Sequence, residues 1–257
     1  MPDPKYFEER FTSVPTNQPE LPFFHTCDAF YLQGILESRK LMPTECEVFD
    51  KEKLLYLFYG KPAYKSSKSD SSKLLSWMPV CFILAHGSIK TVKRICAFDS
   101  GGFKEYSDCM HRGMTIQDFL MTPNLDSIQK TVDYFYESNK SYFSCSPKTQ
   151  LDYDRLQFQV ESYHTLISDG TGHRRDDRKA SIEIQLDYDF ELNKDSVLAV
   201  ILPEHLAASP LVENIIKGEW GAEMITFENY GVASSNYYVH LIEKTKDFYL
   251  KHKLLHG

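Results

Sequence analysis

The apolar positions of this chain fall into short runs separated by polar, proline-punctuated stretches. Residues 1–20 are polar and carry Pro2, Pro4, Pro15 and Pro19, which predicts an irregular N-terminal arm. Leu21–Thr26 (LPFFHT) is short and apolar and reads as a strand. Ala29–Lys40 follows, with Phe30, Leu32, Ile35 and Leu36 near helical spacing and Asp28 placed as its N-cap. Leu54–Tyr59 reads as a second strand, ended by Gly60 and Pro62, and the Ser/Lys-rich stretch Tyr64–Ser76 as a loop. Pro79–Ala85 and Val92–Phe98 read as two more strands, with Asp99-Ser100-Gly101-Gly102 closing the second.

The middle of the chain, about 110–165, is more helical. Leu125, Ile128, Val132 and Phe135 share one helical face, which Asn124 or Asp126 would cap. Leu151–Ile167 fits helix or strand, and Ser168–Lys179 is a polar loop. Ala180–Leu186 alternates and is β-branched, and Val197–Leu202 is apolar throughout, so both read as strands, the second buried on both faces. A short helix over Leu211–Lys217 and a strand over Ala222–Phe227 come next. Tyr238, Leu241, Ile242, Phe248 and Tyr249 mark a C-terminal helix. With no internal repeat and no dividing linker, the expectation is a single α+β domain over 21–257.

Composition narrows this picture without choosing a chemistry. A chain of 257 residues with 42% apolar and 25% charged residues can bury its own core without a disulfide or metal staple. Its 16 Tyr and 17 Phe imply either a tyrosine-rich core or a pocket for a flat ligand. The formal charge of −7 argues against broad nucleic-acid affinity, which comes mainly from neutralising phosphates. No apolar run approaches a membrane span, and the start, MPDPKYFEERF, lacks the pattern of a signal peptide. Cys27, Cys46, Cys81, Cys96, Cys109 and Cys145 are scattered, which is expected of reduced thiols in a cytoplasmic protein. Cys109-Met110-His111 is the one close Cys/His pair, a weak basis for a metal site, so no metal is expected.

Three segments place polar groups where burial is otherwise favoured: Phe24-His25-Thr26, Tyr56–Tyr64 and Asp176–Gln185. Glu183 stands between Ile182 and Ile184 and so points to the face opposite both. It is either an outward Glu on a half-exposed strand or a carboxylate held rigidly at a cleft, able to stabilise a cation or accept a proton. His25 is either a partly buried histidine bonded to backbone or a ligand-binding group. Tyr56, Tyr59 and Tyr64 are either packing residues or a stacking surface, and Lys61 either a solvated turn residue or a functional cation. The loop bearing His173, Arg174, Arg175, Arg178 and Lys179 against Asp176 and Asp177 is either a solvated turn or a target-recognition loop.

In this order the segments resemble the ADP-ribosyltransferase fold, in particular the DarT-type DNA-modifying enzymes and their RNA 2′-phosphotransferase relatives. Phe24-His25-Thr26 followed by Ile35–Pro43 (ILESRKLMP) is similar to the first strand, helix and turn of those families. Phe58-Tyr59-Gly60-Lys61-Pro62-Ala63-Tyr64 is similar to their second motif, with Lys61 where the DNA-modifying branch has Arg and one residue fewer before the proline. Arg178–Glu183 (RKASIE) is similar to the lead into their catalytic Glu. The likeness covers about 21–65 and 175–202 and leaves the middle as an unmatched helical insertion.

The resemblance implies a split β-sheet core with flanking helices, NAD+ as substrate and no metal. It implies Glu183 and Lys61 as catalytic residues. Glu183 would bond the ribose and stabilise an oxocarbenium-like transition state. His25 and Thr26 would bind the ribose of the adenosine half, Tyr59 or Tyr64 would stack on nicotinamide, and Lys61 or Arg178 would face the diphosphate. The acceptor would be a macromolecule, DNA or RNA before protein. The protein would be a cytoplasmic bacterial toxin or anti-phage effector, with an antitoxin or regulatory protein as partner. An NAD+ glycohydrolase on the same scaffold and a non-catalytic nucleotide-binding module are the alternatives.

Overall fold

The computed structural model describes residues 5–13, 15, 18–46, 48–64, 72–170 and 177–255. Its strands are β1 (Phe23–Asp28), β2 (Lys40–Leu41), β3 (Thr44–Glu45), β4 (Lys53–Tyr59), β5 (Pro79–Leu84), β6 (Arg94–Cys96), β7 (Leu120–Met121), β8 (Glu183–Leu186), β9 (Phe190–Glu191), β10 (Val197–Pro203) and β11 (Glu223–Phe227). The helices are α1 (Leu32–Ser38), α2 (Leu125–Phe135), α3 (Asn139–Phe143), α4 (Phe158–Ser168), α5 (Glu204–Ala207), α6 (Pro210–Glu213) and α7 (Tyr238–Lys251). The class is α+β. Among the described residues, nine strands form one sheet in the order β11-β10-β5-β1-β4-β8-β6-β7, with β3 also on β4, while β2 and β9 pair apart. The β10–β11 pair is parallel, bridged by α5 and α6; its other ladders are antiparallel.

The sheet has a seam at its centre. β1 pairs with β5 along all six of its residues, but with β4 only at Phe23↔Tyr59 and Phe24↔Phe58. Past Phe24 the two strands part, and the His25 ring bridges the gap through Nδ1 to the Tyr56 carbonyl at 3.0 Å. A side chain thus replaces a ladder bond there, and the sheet opens into a cleft.

Several expected boundaries move. The first strand begins at Phe23 and runs on to Asp28, whose backbone is extended and whose side chain caps nothing in the helical turn Ala29–Tyr31 that leads into α1. Asn124 does cap α2, accepting from the Ser127 N–H at 2.9 Å. The ambiguous 151–167 stretch resolves as α4 from Phe158. β6 keeps only Arg94–Cys96 of the run 92–98, and β8 begins at Glu183 because Asp177–Ala180 coils into a 3-10 turn.

The described part of the N-terminal arm is irregular apart from the turn Phe7–Arg10, but it enters the core. Phe7 is fully buried against Phe119, Phe135 and Tyr163, and Phe11 stacks on Tyr134 at 4.3 Å. Buried Glu8 accepts from the Thr122 N–H at 3.1 Å. The aromatic excess is therefore mostly core: Tyr106, Tyr136, Tyr142, Tyr163, Tyr237 and Tyr249 are all fully buried. Among the described residues, no helix is long and apolar enough to cross a membrane.

Candidate active site

The seam opens onto a cleft of about 290 Å³ lined by Thr26, Cys27 and Asp28 of β1, Tyr31, Phe58 of β4, Ala63, Tyr64, Asp99 and Arg178. Three of the residues expected to bind a ligand, Thr26, Tyr64 and Arg178, meet here. The Thr26 hydroxyl lies 3.4 Å from the buried Cys81 thiol across the β1–β5 ladder. The Tyr64 hydroxyl donates to Asp28 Oδ1 at 2.7 Å and lies 3.1 Å from the Trp77 carbonyl, which fixes its ring at the wall. Partial burial raises the proton affinity of Asp28, and the Tyr64 bond works against that rise.

Glu183 stands beside this cleft, behind the residues that line it. Its register partner on β4 is Phe58, a cleft-lining residue, and paired residues on neighbouring antiparallel strands project to the same face. Glu183 is only 1% exposed, so it is not an outward residue of an alternating strand. The Ser100 hydroxyl donates to its Oε1 at 2.7 Å, the Ser100 N–H to its Oε2 at 3.0 Å, and Gln185 Nε2 to Oε1 at 2.6 Å. Burial, helped by the negative charge of Asp99, pushes the carboxyl up to about 8 against the pull of these three donors. A carboxyl poised near neutral pH on a rigid strand is suited to proton transfer and to answering a developing positive charge.

Asp99 and Arg178 connect this carboxyl to the cleft wall. Arg178 Nη1 meets Asp99 Oδ2 at 2.8 Å, both residues are largely buried, and the Asp99 N–H donates to the Arg178 carbonyl. Asp99 also accepts from the Gly101 N–H at 2.8 Å, which turns the chain so that Ser100 faces Glu183. His25 sits at the seam and, unlike its neighbour Thr26, is not among the residues that line the cleft. Burial lowers its proton affinity, so the neutral ring donates from Nδ1 to Tyr56 and leaves Nε2 as an acceptor.

Two expected site residues stand elsewhere. Lys61 is 1% exposed and packs away from the cleft, with its ammonium on the Tyr142 carbonyl (3.2 Å), the Cys145 sulfur (3.0 Å) and the Tyr142 ring (4.7 Å). The turn after Gly60, which has φ of +70°, sends it inward where a solvated or substrate-facing cation was expected. Tyr59 is buried too; its hydroxyl accepts from the Leu21 N–H at 3.1 Å and its ring packs on Phe23. Of the two stacking candidates, Tyr64 is the one in the cleft. In the basic loop, residues 171–176, including Arg174 and Arg175, lie outside the described residues. Arg178 and Lys179 are both buried, Lys179 donating to the Asp169 carbonyl, so neither reaches outward toward a target.

Sequence reasoning passed over Asp28, Asp99, Ser100 and Gln185 as site residues. Asp99-Ser100-Gly101-Gly102 carried a signal, but turn chemistry explains that string equally well. Gln185 shares the period-2 face of Glu183 and was legible by that rule. Among the described residues, no group of three or more His, Cys, Asp or Glu side chains is placed to hold a metal ion. No protein-family model matches the chain, and no curated protein matches it.

Proposed function

We propose that this protein is an NAD+-dependent ADP-ribosyltransferase that modifies a macromolecule, with a nucleic acid favoured as acceptor. The observation that carries the reading is Glu183, a buried carboxyl held by three donors beside a cleft that Thr26, Tyr64 and Arg178 line. Breaking the bond between nicotinamide and ribose sends its electron pair to the pyridinium nitrogen and leaves an oxocarbenium-like ribose. Ionised Glu183 stabilises that cation, and a ribose hydroxyl takes the place on Oε1 now held by the Ser100 hydroxyl. The same carboxylate then accepts the proton of the attacking acceptor.

The wall supplies the rest. Tyr64 offers a ring fixed by Asp28 for the nicotinamide. Arg178, oriented by Asp99, places positive charge for the diphosphate. His25 Nε2 accepts from a sugar hydroxyl. The volume of about 290 Å³ suits nicotinamide and its ribose, with the remainder of the dinucleotide along the open edge. Phe30 and Tyr31 favour a nucleic-acid acceptor: they stand 71% and 57% exposed, Tyr31 lining the cleft and Phe30 edge to face with it at 5.3 Å, as a platform on which bases stack.

The test is incubation with NAD+ labelled in its adenylate half together with DNA, RNA or protein. Label is expected on nucleic acid, falling about 100- to 1000-fold in Glu183→Gln. Retained transfer in that variant overturns the assignment of Glu183. Free ADP-ribose alone in every reaction makes the protein a glycohydrolase, and NAD+ binding without turnover makes it a binding module.

A further inference from the structure

The contacts of Glu183 continue beyond Gln185 to the solvent edge of the sheet. Arg94 on β6 is the register partner of Gln185 on β8, and its Nη1 lies 2.6 Å from Gln185 Oε1. Its Nη2 meets both oxygens of Glu52, at 2.8 and 2.9 Å, and its guanidinium lies 4.3 Å above the Phe49 ring. Lys93 closes on the same Glu52 at 3.2 Å. Exposure along this chain of contacts falls from 34% at the Glu52 side chain to 19% at Arg94, and to none at Gln185.

A guanidinium only donates, so the Gln185 atom that faces it must be the amide oxygen. The amide nitrogen is then obliged to face Glu183, where it lies 2.6 Å from Oε1. Left to itself, a side-chain amide can turn over, and its oxygen would then oppose an ionised carboxylate. We propose that Arg94, anchored by Glu52 and Phe49, is a positioning residue for Glu183 that acts through the amide of Gln185. By keeping a donor on Oε1, it favours the charged form of the carboxyl against the pull of burial and holds it in one orientation. The inference deepens the proposed function, on which its kinetic consequence rests; its effect on the protonation of Glu183 does not depend on that reading.

The experiment follows the Glu183 carboxyl directly, by 13C resonance titration of protein labelled at its glutamate carboxyls, the signal being assigned by its loss in Glu183→Gln. Arg94→Met should raise the Glu183 midpoint by about one pH unit, the scale of one charge-assisted hydrogen bond. NAD+ consumption at neutral pH should show kcat down about tenfold and KM nearly unchanged. Arg94→Lys, which retains a donor, should return most of both. In a Gln185→Leu background Arg94→Met should add nothing, because the path through the amide is already cut. Glu183 also faces Asp99 with its partner Arg178, Cys96 on β6 and Tyr56 on β4, and none of these is altered by the substitutions.

An unmoved midpoint in Arg94→Met, or an equal effect with and without Gln185, overturns the proposal. The second result would mean that Arg94 acts only by its charge. If Arg94→Met does not fold, Glu52→Gln should move the midpoint the same way by less, and an unmoved midpoint there is equally fatal. A wild-type protein that consumes no NAD+ sinks the proposed function, while the titration still decides the role of Arg94.

Discussion

Replacing Glu183 with Gln should reverse its effect on stability between mildly acidic and mildly basic pH. Folding raises the proton affinity of this carboxyl from the ordinary 4.5 to about 8. Between those values the folded protein holds a proton that the unfolded chain releases, so stability falls as pH rises across the window. Each pH unit of the gap is worth about 1.4 kcal/mol, so about 5 kcal/mol present below pH 4.5 is lost by pH 8. The substituted amide cannot ionise and is exempt from that loss. It would instead turn an N–H toward one of the donors Ser100 N–H, Ser100 Oγ–H or Gln185 Nε2, a mismatch of about 1–3 kcal/mol at any pH. Glu183→Gln should therefore be less stable than wild type by about 1–3 kcal/mol near pH 4, and more stable by about 2–4 kcal/mol above pH 8. Urea unfolding of both proteins at several pH values measures the difference directly, since titrating groups remote from Glu183 cancel. A difference that stays constant with pH would refute the reasoning, because folding would then leave the proton affinity of Glu183 unchanged.

Arg178→Met should cost about 3–5 kcal/mol in chemical denaturation at neutral pH, because it leaves the Asp99 charge buried without its 2.8 Å partner; a cost under about 1 kcal/mol would contradict this. Lys61→Met should fold with stability within about 1 kcal/mol of wild type or above it, since among the described residues no carboxylate meets this ammonium. Its NAD+ turnover should be unchanged, and a folded but inactive Lys61→Met would restore a catalytic role. Tyr64→Ala should raise KM for NAD+ about tenfold through loss of stacking, with Tyr64→Phe retaining most of the affinity, as read in initial-rate kinetics. Phe7→Ala should lower stability by about 3–5 kcal/mol and the melting temperature by about 10 °C.

The parts of the fold legible in the sequence were those with strong local pattern. The run Leu54–Tyr59 and the face Leu125, Ile128, Val132 and Phe135 became β4 and α2, because period and capping agreed there. Tertiary contacts decided what local pattern left open. The polar, proline-punctuated stretch 1–20 read as loose, yet two phenylalanines four apart found a hydrophobic socket made over a hundred residues later. Asp28 has the composition of a helix cap, but the hydroxyl of Tyr64, distant in sequence, captures its carboxylate. In the site, residue types in order pointed to Thr26, Tyr64, Arg178 and Glu183. Orientation was not legible: one left-handed glycine turns Lys61 inward, and alternation alone allowed Glu183 to face water.

The embedded arm also has a consequence for how the chain is made. Phe7 and Phe11 leave the ribosome well ahead of Tyr163 and the rest of α4, which complete their socket. At roughly 5–20 residues per second, those rings wait on the order of 10–30 s before they can be covered. The nascent chain thus carries two uncovered aromatic rings until α4 has been made, a natural handle for a chaperone.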